Sequence, residues 1–515
     1  ITGTISGSGA VVQEGTGTTR LSGHNSFSGG VTAEHGTVQA GADGDAFGSG
    51  ILTVNADGHA DLDNHDTTIG GLQGAGNVTL GSGSLTLMQN SDTVYSGVMS
   101  GTGGVVKNGH GALVFFGDNT YTGLTTINGG SVQIGDGGTS GTIAGDVAVT
   151  TADASLIVVR SDAFTFGGKI SGEGNVIHAG SGTTTFTGDN SYRGDLFVTE
   201  GTVKAGVADH AFGAGYLSVS AGATADLAGF DTTTGGLLGA GNVLLDHATL
   251  TLDQQQASEF SGVMSGDGGL VKNGAGTLRL SGANSYGGPT AVNDGILRQG
   301  AAGAFSSASA YTVAAAGAME LGGFDTTLAA LQNAGSVSFG GTGGATLTVN
   351  GNYAGQNGML TINSVLEGDD SRTDRLTVKG DTSGATKLTV VNQGGKGAQT
   401  VNGIKVVEVD GASDGTFALQ GHFTTDSGES AVVAGAYAYT LHQGGVNTPD
   451  DGDWYLRSED VRHQPILNPG VPLYQGALQA MQTLNRLPTL QQRVGNRFWS
   501  GAANPLLEEG DGPGR

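Results

Sequence analysis

Cysteine is absent from all 515 residues. Thiol catalysis, thiolate metal sites and disulfides are therefore excluded together. The absence suits a chain that crosses a thiol-oxidising compartment unfolded and whose continuous core needs no bridges. Proline is scarce, at 8 residues, and the glycines follow no G-X-Y period, so a collagen is excluded. Charged residues make up only 13%, and they are one-sided: 46 acidic against 21 basic, a formal net charge of -25. Such a field repels polyanions, which argues against nucleic acid and anionic membrane surfaces as partners. No apolar run approaches 18 residues, so neither a transmembrane helix nor membrane insertion is expected. A signal peptide is also missing. The opening Ile1-Thr-Gly-Thr-Ile-Ser-Gly-Ser-Gly reads as the middle of a repeat, so the expectation is a fragment or processed product with its upstream part missing.

What is abundant is glycine, 98 residues, against an ordinary usage of about 7%. Hydrophobic residues reach 37%, and valine, leucine and threonine recur in short runs, which excludes a disordered linker. Many short strands and many tight turns remain. Four segments align without gaps: LSGHNSFSGGVTAEHGTVQAG from Leu21, FFGDNTYTGLTTINGGSVQIG from Phe115, FTGDNSYRGDLFVTEGTVKAG from Phe186 and LSGANSYGGPTAVNDGILRQG from Leu280. Their offsets are 94, 71 and 94 residues, so a 165-residue unit occurs twice. DTTIGGLQGAGNV from Asp66 returns from Asp231, and SGVMSGTGGVVKNG from Ser96 returns from Ser261, each with small changes. The offsets share a unit of roughly 20–25 residues. An aromatic-x-Gly mark recurs at Phe27, Tyr95, Tyr121, Phe166, Tyr192, Phe260, Tyr286 and Tyr353, with three gaps equal to 26.

Segments such as Thr37-Val-Gln-Ala, Ile51-Leu-Thr-Val and Ser84-Leu-Thr-Leu alternate apolar and polar residues at period two, between Gly, Asn, Asp and Ser. Short strands at this unit length predict an all-β parallel β-helix, a solenoid whose turns stack inward side chains and corner on glycine. The first 350 residues give roughly 15 turns and a rod of about 70 Å, at about 4.8 Å per turn. A β-propeller is the structural rival, but its blades of about 40–50 residues are twice this unit.

After Val349 the marks stop, apart from Tyr353-Ala-Gly, and strands lengthen. A solenoid end exposes strand edges and needs a cap, so 1–349 read as the helix, 350–460 as a cap and 461–515 as a helical tail. Within the tail, 471–499 turn helical in character, Pro488 interrupts them, and the Gly- and acid-rich stretch from Leu506 reads as disordered. Four runs here carry a resemblance: GDDSRTDRLTVKGDTSG from Gly368, GIKVVEVDGASDGTFAL from Gly403, GAYAYTL from Gly435 and DWYLRS from Asp453. In this order and spacing they resemble the pertactin-like C-terminal passenger region of autotransporters. The Gly-rich units resemble passenger-associated repeats. Val471-Pro-Leu-Tyr and Gln492-Arg-Val-Gly-Asn-Arg resemble the junction before the membrane barrel. The resemblance covers nearly the whole chain. It implies a right-handed β-helix exported through the outer membrane of a Gram-negative cell, displayed there or released, with the C-terminal third promoting folding. Signal peptide, N-terminal passenger and translocator barrel, which complete the family pattern, are not in this sequence.

Candidate chemistry is sparse. His59, Asp61, Asp63 and His65 alternate, as metal ligands on one strand face do, with Ala60 and Leu62 inward. The second copy holds Thr224, Asp226, Ala228 and Phe230 there, and Phe230 predicts a bend that breaks the row. No metal and no cofactor is the expectation. Gly411-Ala-Ser413-Asp-Gly415 matches G-x-S-x-G, but the strand Thr416-Phe-Ala-Leu follows where a nucleophile elbow needs a helix. Asp369, Asp370 and Asp374, and Asp450, Asp451 and Asp453, lack EF-hand spacing and read as solvated turns. Arg193-Gly194-Asp195 is an integrin-type tripeptide whose Gly194 is the repeat glycine and whose flanks are unique to this copy.

The function expected is that of a surface-exposed or released passenger, not an enzyme. It binds host cells or a host surface or serum protein, serving adhesion or immune evasion, or it self-associates. A stalk presenting a missing N-terminal catalytic domain is one alternative. A polysaccharide-active β-helix enzyme is another, but it requires a groove of converging acids that the sequence does not place.

Overall fold

Side chains in each short strand alternate between a packed interior and solvent. In Thr183–Phe186, Thr184 and Phe186 are buried while Thr183 and Thr185 are half-buried. The following turn of chain repeats the pattern in parallel register, so that Thr184 meets Val203 and Phe186 meets Ala205. β-Branched and aromatic residues fit such a pleated, half-buried surface. The computed structural model of the protein describes residues 1–459 and 464–484, so Pro488 and the tail from Leu506 lie outside the described residues.

Repeated turn upon turn, this pairing builds a parallel β-solenoid of about 18 turns. Where strands are fully developed a turn carries three of them. Thr232–Thr234, Gly236–Gly239 and Asn242–Asp246 pair with Thr249–Asp253, Ser258–Phe260 and Val263–Gly266 in shared or adjoining ladders. Inward residues form columns along the axis. Val132, Leu156, Val176, Leu196, Leu217 and Leu237 succeed one another in register, all fully buried. Burying each such side chain stabilises the fold by about 1.5–3 kcal/mol, and the gain recurs with every turn.

Parallel pairing continues past the last sequence mark. Tyr353–Ser364 pairs with Thr382–Asn392, and that strand with Thr416–Leu419. Beyond Leu419 the direction changes. Phe423–Thr424, Ser430–Ala434, Tyr437–Gln443 and Trp454–Arg457 form antiparallel pairs. Trp454–Arg457 also runs antiparallel along Ile404–Val409, covering the outer edge of that strand. An uncovered edge there would template pairing with other chains. Phe417 links the two parts, stacked on Tyr353 at 5.9 Å and edge-on to Trp454 at 5.3 Å between ring centroids. Among the described residues one helix occurs, Gly470–Leu484, with Leu473, Tyr474, Leu478 and Met481 exposed.

Candidate binding surface

The repeat motif is an interior device. Its asparagines, Asn25, Asn119, Asn190 and Asn284, are all buried. Each uses its amide to tie three turns. Asn190 Oδ1 accepts the Ile170 N–H of the preceding turn at 2.8 Å, and Nδ2 donates to the Ala211 carbonyl of the next at 2.7 Å. Asn284 does the same between Met264 and Ala304. The aromatic two residues on points inward at every copy: Phe27, Tyr121, Tyr192 and Tyr286 are at most 1% exposed. The glycine of the mark then lies against backbone. A Cβ on Gly194 would stand 2.2 Å from the Gly174 carbonyl oxygen.

A second device was not legible in the sequence. Gln13, Lys107, His178 and Lys272 occupy one position of the four repeats and are buried in otherwise apolar columns. Lys107 lies between Leu87 and Ile127 and His178 between Val158 and Val198. The explanation is the corner beside them, which crowds inward-facing carbonyls. Lys107 Nζ donates to Asn108, Gly109 and Gly129, and Lys272 Nζ to Asn273, Gly274 and Asp294. Gln13 Nε2 donates to Gly15 and Gly17. His178 faces the Gly180 and Gly182 carbonyls, but neither ring nitrogen reaches hydrogen-bond geometry. Burial lowers the Lys107 pKa to about 8 and lowers that of His178 below the usual imidazole value.

The alternating row separates. The chain turns through positive φ at Asp63 and Asn64, after the strand ends at Asp61. His59 meets Thr79, Asp61 accepts from Gln39, Asp63 pairs with Arg20, and His65 with Asp43. Among the described residues no group of three or more His, Cys, Asp or Glu could hold a metal ion. Ser413 donates to the Gly452 carbonyl and accepts from Gln443, and a strand follows it where a nucleophile elbow needs a helix.

The two acidic clusters are not all solvated turns, as the sequence suggested. Asp370 and Asp450 are exposed, but their neighbours clamp backbone. Asp369 accepts the N–H groups of Val401, Asn402 and Gly403 at 2.7–3.1 Å. Asp374, fully buried, accepts from Ala345 and Asn363. Asp453 accepts from Val409 and stands 2.6 Å from Lys405 Nζ. Sequence spacing alone could not reveal these partners, which are 11 to 48 residues away.

Arg193 and Asp195 flank Gly194 on the outside of the rod. The Arg193 guanidinium is exposed and lies 3.6 Å from Glu173. Asp195 is half-buried, and its Oδ1 accepts the Tyr216 N–H of the next turn at 2.9 Å. The tripeptide lies along its turn, with one carboxylate oxygen engaged in the stack.

Two family models match the chain. The passenger-associated-transport-repeat matches residues 11–40, 105–134, 177–205 and 270–298, and the autochaperone domain type 1 matches 326–441. The four buried polar residues fall at the same place in each matched repeat. Among curated proteins, the adhesin BmaC autotransporter of Brucella suis is 39% identical over 405 residues, 73% of this chain and 11% of its own length. An uncharacterised Escherichia coli protein, YdeU, is 47% identical over 146 residues, 26% of this chain and 29% of its own. The autotransporter adhesin AIDA-I of Escherichia coli is 47% identical over 116 residues, 22% of this chain and 8% of its own. The chain thus spans less than a third of each. The solved Hap adhesin of Haemophilus influenzae aligns over 88% of this chain and 58% of its own at 16% identity, with a TM-score of 0.32, too loose a superposition to argue from. With transport repeats stacked along its rod and an autochaperone domain on its C-terminal side, the chain is autotransporter passenger sequence, of the class that Gram-negative bacteria display on or release from their surface.

Proposed function

We propose that the chain is the rod of an adhesin-like passenger that binds a host cell or host protein, or a second rod, through outward side chains and without catalysis. The observation that carries this reading is 39% identity over 405 residues to a protein named an adhesin. The geometry agrees with it. Copies share the inward aromatic and the stacked glycine but differ beside them: Ser28 and Gly30, Thr122 and Leu124, Arg193 and Asp195, Gly287 and Pro289. A rigid lattice with variable outward positions suits recognition by surface. In this reading 1–349 supply the binding rod, 350–460 stabilise it and promote its folding, and 461–515 are the junction toward a translocator.

The test is attachment of beads coated with the purified chain to host cells, in competition with soluble chain. Attachment that soluble chain abolishes supports the reading. If only a longer passenger attaches, the chain is a stalk. Arg193→Ala and Asp195→Glu then examine the tripeptide. Asp195→Glu keeps the charge but displaces the carboxylate by one methylene, so attachment that survives both changes places the binding surface elsewhere on the rod.

A further inference from the structure

The 165-residue unit gives the rod two versions of one outward site, and they differ in what fills it. Tyr216 begins the strand Tyr216–Val219 in the second copy, and Ile51 stands at the same place in the first. Tyr216 lies directly over Gly236: a Cβ on that glycine would be 2.2 Å from Tyr216 Cε1. Its hydroxyl accepts the Gln256 backbone N–H at 3.2 Å. The glycine is the seat of a phenol ring, and a loop amide holds the polar end.

In the first copy the seat is Gly71 and the loop residue is Ser91. Ile51, 39% exposed, has no ring to fill the space in front of Ser91, although Gly71 itself is buried. The atoms nearest to a Cβ on Gly71 would be Ile51 Cγ1 and the Gln89 side chain, none closer than 3.6 Å. Beside it opens a cleft of about 420 Å³ lined by Ile51, Gly70, Met88, Gln89, Ser91 and Thr93 among others. That volume is within the range of small-ligand sites. Gln89 is 1% exposed; its Nε2 is held by the Ala112 carbonyl, and its Oε1 has no partner. The matching Gln254 also keeps an unpaired Oε1. This oxygen is sealed from solvent in both copies, so a ring is held by seat and loop alone. The rim changes to suit. Met88, 53% exposed, replaces Asp253, putting a polarisable thioether where the filled copy has a charge. Thioethers pack favourably against aromatic rings.

We propose that the first copy binds a tyrosyl side chain presented by a partner polypeptide, with its ring in the cleft beside Ile51 and Met88 and its hydroxyl on the Ser91 N–H. This goes beyond the adhesin reading and stands without it, because its test uses the chain alone and no host cell.

The probes are three soluble compounds: acetyl-Gly-Tyr-Gly-amide, the matching Phe peptide and methyl glucoside, titrated by saturation-transfer difference NMR. The Tyr peptide should bind saturably. The Phe peptide should bind about 2–10-fold more weakly, as expected for one lost hydrogen bond. Ile51→Tyr installs the second copy's own plug and should abolish binding, with dichroism and melting unchanged. Met88→Asp should weaken binding several-fold and serves if Ile51→Tyr disturbs the turn. Absence of saturable Tyr-peptide binding, equal binding of Tyr and Phe peptides, preference for the glucoside, or binding that survives both substitutions would each overturn the proposal.

Discussion

Replacing Asn190 by alanine tests whether the turns are tied through a buried amide. Asn190 is 1% exposed, accepts from Ile170 N–H at 2.8 Å and donates to the Ala211 carbonyl at 2.7 Å. Alanine leaves both backbone groups without these partners in the interior, on the turns either side. Each buried group left unpaired costs about 1–3 kcal/mol, so the loss should be about 2–6 kcal/mol. Each turn of a solenoid contacts only its neighbours, so the effect should stay local. Urea unfolding measures the magnitude, and hydrogen exchange read by mass spectrometry locates it. Protection should fall between residues 170 and 211 and hold elsewhere. Asn190→Asp retains the acceptor for Ile170 but donates to Ala211 only when protonated. Burial raises such a carboxyl's pKa in the folded state, so the folded chain binds more protons and stability falls as pH rises through that range. The reasoning is refuted if Asn190→Ala loses no more than about 0.5 kcal/mol, the ordinary effect of an exposed change such as Gln332→Ala, or if protection falls evenly along the rod.

Lys107→Met removes the ammonium from three corner carbonyls and should cost about 2–4 kcal/mol, whereas Lys107→Gln, which copies Gln13, should cost less; denaturant midpoints compare them. With the folded Lys107 pKa lowered by burial to about 8 from 10.5, the unfolded chain binds more protons between those values. Stability should therefore rise with pH across that window, and Lys107→Met should flatten the rise. His178 is held neutral by burial, so below about pH 6.5 the unfolded chain takes up a proton that the folded chain resists. Melting temperature should fall with acidification there, and His178→Gln should reduce that fall. Gly262→Ala would set a Cβ 1.7 Å from the Gly241 carbonyl oxygen and should cost about 3 kcal/mol or more. Gly17→Ala, where nothing lies within 4 Å, should melt like the parent.

The refolding role of 350–460 is tested by deletion. The truncated rod should refold more slowly and be less soluble, as judged by recovery of far-ultraviolet dichroism after dilution from urea. Equal recovery would remove the capping role.

The sequence by itself determined the solenoid. Alternation at period two, glycine corners and the recurring aromatic mark are local properties, and a chain repeating them can bury its apolar face only by stacking on itself. The lengthened strands after Val349 likewise announced a change, and the helical character near residue 470 was visible as spacing of leucines. Purposes were less visible than positions. The motif showed an asparagine at Asn190, but its partners Ile170 and Ala211 are each about one turn away, and only stacking brings them within hydrogen-bond reach. Nothing in the sequence marks Lys107 and His178 as interior, yet register places them inside, where corner carbonyls of the tertiary fold face them. The break in the His59 to His65 row was legible from Phe230 in the second copy, but the separate partners that the turn at Asp63 gives its members were not. The cleft at Ile51 depended most on tertiary structure. Comparison of the copies shows Tyr216 against Ile51 in one line of sequence, but the space that substitution opens exists because Ile51, Gly70 and Ser91 come from successive turns. Local pattern fixes which residues point inward; only the packing of one turn on the next decides what each of them meets.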